Sequence, residues 1–266
     1  MTPSPWNQDI FFQYPVTPFQ TSCGEIDLPI LYFDCSIAMA LFLVDLDKAA
    51  SLVQDPELDV VPFAGGKAMV GVAFYEYRRT AIAPYNEAGI AIAVAPKGAA
   101  VPAMPLLSYL RPLDKNPLGF HVVDLPVTTD AACAAGKEVW GYPKFVTPIL
   151  FQRQGRQFTG IVTDPADQSD LVRVDGCAGL GVAGPLLDLV LYSRLNGPLL
   201  RTLVNTRGGA EMRLPGSLRL HVSPTSRHPM AQRLRALGLD GAKPICASMS
   251  DRLQLRLNAG APVPSR

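Results

Sequence analysis

Apolar positions in this chain recur mainly at every second residue. In "KAMVGVAFYEYRRTAI", residues 67–82, β-branched and aromatic residues are enriched and no 3.6-residue stripe appears, which predicts a strand. "NEAGIAIAVAP" alternates Ile90, Ile92 and Val94 with alanines, a large and small alternation suited to a barrel strand with one thin face. Six further short segments, "FHVVDLPVTT", "PILFQRQ", "QFTGIVTD", "LVRVDG", "SLRLHVSP" and "RLQLRLNAG", are bounded by Gly, Pro, Asp or Ser. Repetition of this kind predicts an antiparallel β architecture. In "LDLVLYSRLNGPLLRTLVN" the leucines would also serve helices, but Asn196-Gly197 between two apolar runs is a hairpin signal and favours strands.

Helical patterning is sparse. "LDKAASLVQ" is entered from Asp45 after an apolar run that reads as a buried strand, and "MAQRLRALGLDG" has helical spacing with a stop at Gly238. Residues 1–29 are rich in proline and polar groups and read as an irregular arm, able to pack on the body or on a neighbouring subunit. Neither an internal repeat nor a break in composition divides residues 30–266, so they are expected to form one domain. The expected fold class is mainly β (α+β), an antiparallel barrel or sheet core with a few peripheral helices.

Composition narrows the function classes. A hydrophobic fraction of 48% with 18% charged residues describes a globular interior, and 25 prolines with 22 glycines imply many turns. The formal charge of +1, with both signs interspersed, offers no footprint for nucleic acid or an anionic membrane surface. Asp45 and Asp188 end the most apolar runs well short of the ~20 residues that cross a bilayer, and the acidic start "MTPSPWNQD" is unlike a secretion signal, so a cytoplasmic location is expected. Five scattered cysteines and three isolated histidines predict neither a disulfide framework nor a metal site.

One segment stands apart, "GKEVWGYPKFV" at residues 136–146, which sets Lys144 among apolar and aromatic neighbours. Pro143 biases Tyr142 toward an extended backbone, and an extended segment turns Tyr142 and Lys144 to one side and Phe145 to the other. A lysine in water titrates near ~10.4, so a neutral amine at pH 7 costs roughly 4.6 kcal/mol unless burial destabilises the ammonium. A neutral amine condenses with a ketone to an iminium, which accepts electrons as a neighbouring C–C or C–H bond breaks. The alternative is a lysine at a strand end that snorkels to water.

The segment resembles the acetoacetate decarboxylase superfamily signature G-[RK]-E-x-x-[GA]-[YF]-P-K, with Gly136, Lys137, Glu138, Gly141, Tyr142, Pro143 and Lys144 in order. A second family feature, Y-x-E-x-G, is matched by Tyr85, Glu87 and Gly89. The resemblance implies the family's β-rich fold, Lys144 as Schiff-base nucleophile and Glu87 as proton donor and acceptor, the alternative for Glu87 being a solvated turn residue. It places Tyr142 and Tyr85 at the substrate, with Phe145, Cys35 and Val72 as further lining residues; strand alternation makes Phe145 a wall behind the amine, and Glu138 and Trp140 read as structural. Symmetric homo-oligomers are implied as well. Phe145 occupies the family's second-lysine position, and an ungapped alignment sets the arginine and second glutamate that handle a substrate carboxylate near Cys35 and Val72.

The expected activity is therefore a lyase that decarboxylates a β-keto acid through a Lys144 iminium, with no cofactor and a small carbonyl compound as partner. Two alternatives accompany it. One is an aldolase or dehydratase using the same lysine, and the other a non-enzymatic barrel that binds a hydrophobic small molecule.

Overall fold

The computed structural model describes residues 5–105, 108 and 111–263. In the first third of the chain lie β1 (Thr17–Thr21), β2 (Gly24–Leu28), β3 (Ile30–Asp45), α1 (Leu46–Ala50), β4 (Leu58–Val60), β5 (Pro62–Phe63), β6 (Lys67–Thr80) and β7 (Tyr85–Pro96). The middle contributes β8 (Gly119–Asp124), α2 (Asp130–Trp140), β9 (Ile149–Gln154), β10 (Gln157–Thr163), β11 (Asp170–Cys177) and β12 (Gly181–Pro185). The remainder is β13 (Leu189–Arg194), β14 (Leu199–Arg207), β15 (Gly209–Arg213), β16 (Arg219–Val222), α3 (Pro229–Ala236), β17 (Cys246–Leu257) and β18 (Ala261–Pro262).

Seven strands close on themselves in the order β17-β3-β6-β7-β8-β13-β14, because β14 pairs again with β17. All the pairings in this ring are antiparallel except β8 with β13. A smaller sheet, β16-β11-β10-β9, lies over one outer side of the barrel. The layering follows from the two-residue period of the strands. Ala38, Ala40 and Phe42 of β3, Val70, Val72 and Phe74 of β6, and Ile90, Ile92 and Val94 of β7 point outward. There they pack on Phe158, Val162, Val172 and Leu220 of the small sheet and on α3.

The intervening positions line the barrel interior. Tyr32, Cys35, Tyr77, Tyr85, Val122, Val204 and Leu255 gather toward one end, and Met69, Ala93, Ala95 and Leu118 toward the other. Ala91, Ala93 and Ala95 are thus the thin interior face, while Ala88 lies on the outer one. That thinness leaves room for α2, whose Ala132, Ala135 and Trp140 belong to the same interior cluster.

The sequence pattern did not mark α2. Seven of its eleven residues are buried, most of them alanine or glycine, so the buried face shows few large apolar positions to mark a stripe, and only Asp130, Lys137 and Glu138 form a polar side. Its signals lie at the ends: the Thr129 hydroxyl accepts from the Ala132 amide, and Gly141 closes the helix in the left-handed region at φ 70. The arm also differs from the expectation of irregularity, since β1 and β2 form a hairpin that caps the α2 side of the body. Among the described residues no helix is long and apolar enough to cross a membrane.

Candidate active site

Three extended segments lie side by side at the interior end of the barrel. Val127 bridges Glu87 of β7 on one side and Val146 on the other. Backbone hydrogen bonds from Leu125 to Pro143 and from Val127 to Phe145 tie the Lys144 segment to this middle strip. Lys144 and Glu87 therefore stand two strand spacings apart, roughly 10 Å between backbones, a gap that only long side chains bridge. They do so: the Lys144 Nζ donates to Glu87 Oε2 at 2.7 Å, with the two side chains 6% and 9% exposed.

The neighbours fix both members of the pair. Tyr77 donates its hydroxyl to the other carboxylate oxygen, Glu87 Oε1, at 3.1 Å. The amine sits 5.8 Å from the centroid of the Tyr85 ring, and the Tyr85 and Tyr32 hydroxyls are 2.8 Å apart. Burial raises the Tyr32, Tyr75, Tyr77, Tyr85 and Tyr142 phenols above their ordinary range, so all five stay protonated. Tyr142 stacks on Trp140, and its hydroxyl lies beside that of Thr202 without closing a hydrogen bond.

Gly136 is the slot through which the lysine reaches the site. A Cβ there would fall 2.3 Å from Lys144 Cε and 2.4 Å from Cδ, so the aliphatic stem runs across the bare backbone of α2. The turn that follows is a Schellman closure: the Tyr142 amide donates to Gly136 and the Gly141 amide to Lys137. Trp140 anchors the helix end by donating Nε1–H to the Asn258 carbonyl at 3.0 Å. Glu138 is structural, accepting from the Ser22 amide and hydroxyl of the β1–β2 turn.

The structure brings Lys144, Glu87, Tyr85 and Tyr142 together, with Cys35 in the same interior cluster. Burial pushes the Cys35 thiol up, so it acts there as a small apolar wall. Val72 is not part of this group. It occupies an even position of β6 and faces outward under the small sheet, where the two-residue period must send it. Phe145 likewise turns from Lys144 and packs 4.6 Å from the His228 ring, a wall behind the strand and not a surface of the site.

Three members went unmarked in the sequence, Tyr32 of β3 and Tyr75 and Tyr77 of β6; the β6 pair had a signal. Their signal was the F-Y-E-Y pattern, which puts two phenols on one strand face, in register opposite Glu87 and Tyr85. Arg78 is engaged with Asp34, Glu76 and Ser36, and Arg111 is exposed, its Nη1 donating to the Ala100 carbonyl. Among the described residues no group of three or more His, Cys, Asp or Glu side chains is disposed to hold a metal ion.

A buried amine within hydrogen-bond reach of a buried carboxylate, on this barrel, agrees with a family model: residues 14–225 match that of acetoacetate decarboxylase. The chain belongs to the acetoacetate decarboxylase family. Solved structures of similar fold include an acetoacetate decarboxylase from Legionella pneumophila, with 16% identity, 96% of this chain and 94% of that one covered, and a TM-score of 0.64. The enduracididine biosynthesis enzyme MppR, solved with pyruvate, gives 15% identity, coverage of 88% and 90%, and a TM-score of 0.62. An acetoacetate decarboxylase-like enzyme from Sphingomonas wittichii gives 14% identity, coverage of 90% and 94%, and a TM-score of 0.60. No curated protein matches in sequence. At these identities the likeness concerns the fold, and the family assignment rests on the sequence model.

The geometry also revises how the amine would be activated. The sequence argument relied on desolvation alone and treated Glu87 as a separate proton carrier. In the structure one hydrogen bond joins the two, so ammonium–carboxylate and amine–carboxylic acid differ by the position of a single proton.

Proposed function

We propose that this chain is a Schiff-base-forming lyase in which Lys144 is the nucleophile and Glu87 the proton carrier. The observation that carries the reading is the buried 2.7 Å contact between the amine and the carboxylate. From the neutral pair, Nζ attacks a ketone carbon, Glu87 protonates the departing oxygen, and water leaves an iminium beside a carboxylate. With a β-keto acid, the C–C bond to the substrate carboxylate breaks, its electrons enter the iminium, and carbon dioxide and an enamine result. Glu87 then takes a proton from solvent and delivers it to the enamine carbon. Water hydrolyses the iminium with Glu87 as base, which restores the neutral pair and leaves a net uptake of one proton.

A second reading keeps the iminium but removes a proton from the adjacent carbon, so that the enamine attacks an aldehyde. What favours it is the engagement of Arg78 with Asp34 and Glu76, which withholds that guanidinium from a substrate carboxylate. The solved MppR complexed with a condensation product of pyruvate and imidazole 4-carboxaldehyde lends it support by fold likeness.

The test is reductive trapping. Borohydride with a panel of keto acids, ketones and aldehydes is expected to add the mass of the reduced adduct at Lys144, and Lys144→Ala to lower turnover by more than ~10³-fold. Carbon dioxide release separates the first reading from aldol condensation. Absence of trapping across the panel would favour a barrel that only binds a hydrophobic small molecule.

A further inference from the structure

Glu87 is gripped at both oxygens, and the second grip has a consequence for the chemistry. Lys144 holds Oε2 at 2.7 Å and the Tyr77 hydroxyl holds Oε1 at 3.1 Å. Once Lys144 becomes an iminium it keeps one N–H in place of the amine's two, and its nitrogen is bonded to substrate carbon. The carboxylate then loses most of its first partner at the step where its aim matters. Tyr77 does not change during that step. Its ring is packed against those of Tyr32 and Tyr85, both with centroids at 4.7 Å, and stacked on Tyr75 at 5.3 Å.

We infer that Tyr77 is a positioning residue for Glu87: its phenol occupies Oε1, so that Oε2, the oxygen turned to Lys144, is the one that gives and takes the proton. The inference rests on the Schiff-base reading above. Glu87 is faced by Lys144 from the segment after α2, by Tyr75 and Tyr77 from β6, by Tyr85 from its own strand, by Tyr32 from β3 and by Tyr142 beyond α2. Because burial keeps those phenols protonated, Tyr77 donates its hydrogen bond without entering the proton count.

Tyr77→Phe removes the hydroxyl and keeps the ring, so the aromatic packing is retained. Two probes separate capture from proton transfer: borohydride trapping of pyruvate and of acetone at Lys144, and exchange of their α-hydrogens for deuterium, which requires an enamine and hence Glu87. The expected result is trapping within threefold of wild type with exchange slowed tenfold or more. The acid limb of the exchange profile should also move up by on the order of one pH unit, since a lost donor to the carboxylate favours its protonation. Exchange of unchanged rate and unchanged acid limb overturns the inference. So does an equal fall in trapping and exchange with a lowered melting temperature, which would make Tyr77 merely structural. A wild-type protein that traps neither these probes nor any other carbonyl compound of the panel overturns the Schiff-base reading itself, and this assignment with it.

Discussion

Gly136→Ala offers the sharpest separation of function from stability. The added methyl would lie 2.3 Å from Lys144 Cε and 2.4 Å from Cδ, where carbon atoms ordinarily approach to about 3.5 to 4.0 Å. One partner must give by more than about 1 Å. The helix is the stiffer of the two: Ala132, Ala135 and Trp140 are buried, and Trp140 is bonded to the Asn258 carbonyl. The lysine stem therefore rotates away, and a rotation of that size takes Nζ out of its 2.7 Å contact with Glu87.

For stability the effects nearly offset. Replacing a helical glycine with alanine favours the helix by about 0.8 to 1.0 kcal/mol, while crowding a packed interior costs roughly 1 to 3 kcal/mol. The net falls between about 0 and 2 kcal/mol, a melting shift of no more than about 8 °C for a chain of this size. For the chemistry there is no offset, because a misplacement of about 1 Å costs on the order of 10²-fold. The assay is the rate of borohydride-trapped adduct formation at Lys144, followed by intact mass beside a thermal melt. A hundredfold slower adduct in a protein that melts within a few degrees of wild type is the expected result. Adduct formation within threefold of wild type would mean that the stem does not occupy the glycine slot in solution.

Two further outcomes follow from the layering and the ion pairs. Val72→Ala, beneath the small sheet, should cost about 1 to 3 kcal/mol in urea denaturation and leave Lys144 trapping unchanged; a change in trapping at unchanged stability would put Val72 back at the site. Asp9, Asp34 and Asp55 lie below the usual carboxylate range, Asp9 at about 2, because Arg207, Arg78 and Arg194 respectively hydrogen-bond them. Such lowered groups stabilise the fold above the unfolded value of about 3.9, and that contribution is lost as pH falls through the lower folded values. Burial shifts Asp124 the opposite way despite Arg233, so its ionisation costs stability as pH rises above that same unfolded value. By about pH 4 that second effect is largely spent, and urea midpoints should fall steadily between about pH 4 and pH 2. A flat midpoint over that window would refute the pairing.

Strand content was legible wherever a strand has one thin and one thick face or a marked turn. The alternation of Ile90, Ile92 and Val94 with alanine marked β7, and Asn196-Gly197 marked the β13–β14 turn, where both residues have positive φ. Asp45 was legible as the cap of α1, its carboxylate accepting from the Asp47 and Lys48 amides. Long-range partnership was not. That β17 pairs with both β3 and β14, and so closes the barrel, is written in complementarity between segments far apart in the chain, with no local signature. The β1–β2 hairpin escaped notice for a different reason: its strands are only five residues long, and the alternation of Ile26 and Leu28 with Glu25 and Asp27 is too short to stand out in a segment rich in proline and polar groups.

The site shows the same division more acutely. Its two motifs were visible as strings, yet the sequence separation of 57 between Glu87 and Lys144 hides that the two side chains meet. The misplacement of Val72 is instructive because strand parity is unforgiving: one residue of register decides between the barrel interior and its outer layer. An alignment without gaps across the β6–β7 turn carries any error in loop length straight into that parity. Tyr77, opposite Tyr85 in the register, lies on the correct face by the same rule that excludes Val72. A candidate residue on a strand is thus best tested first against the faces of its paired neighbours. Here that criterion retains Tyr77, Tyr85 and Glu87 and removes Val72 before any distance is measured.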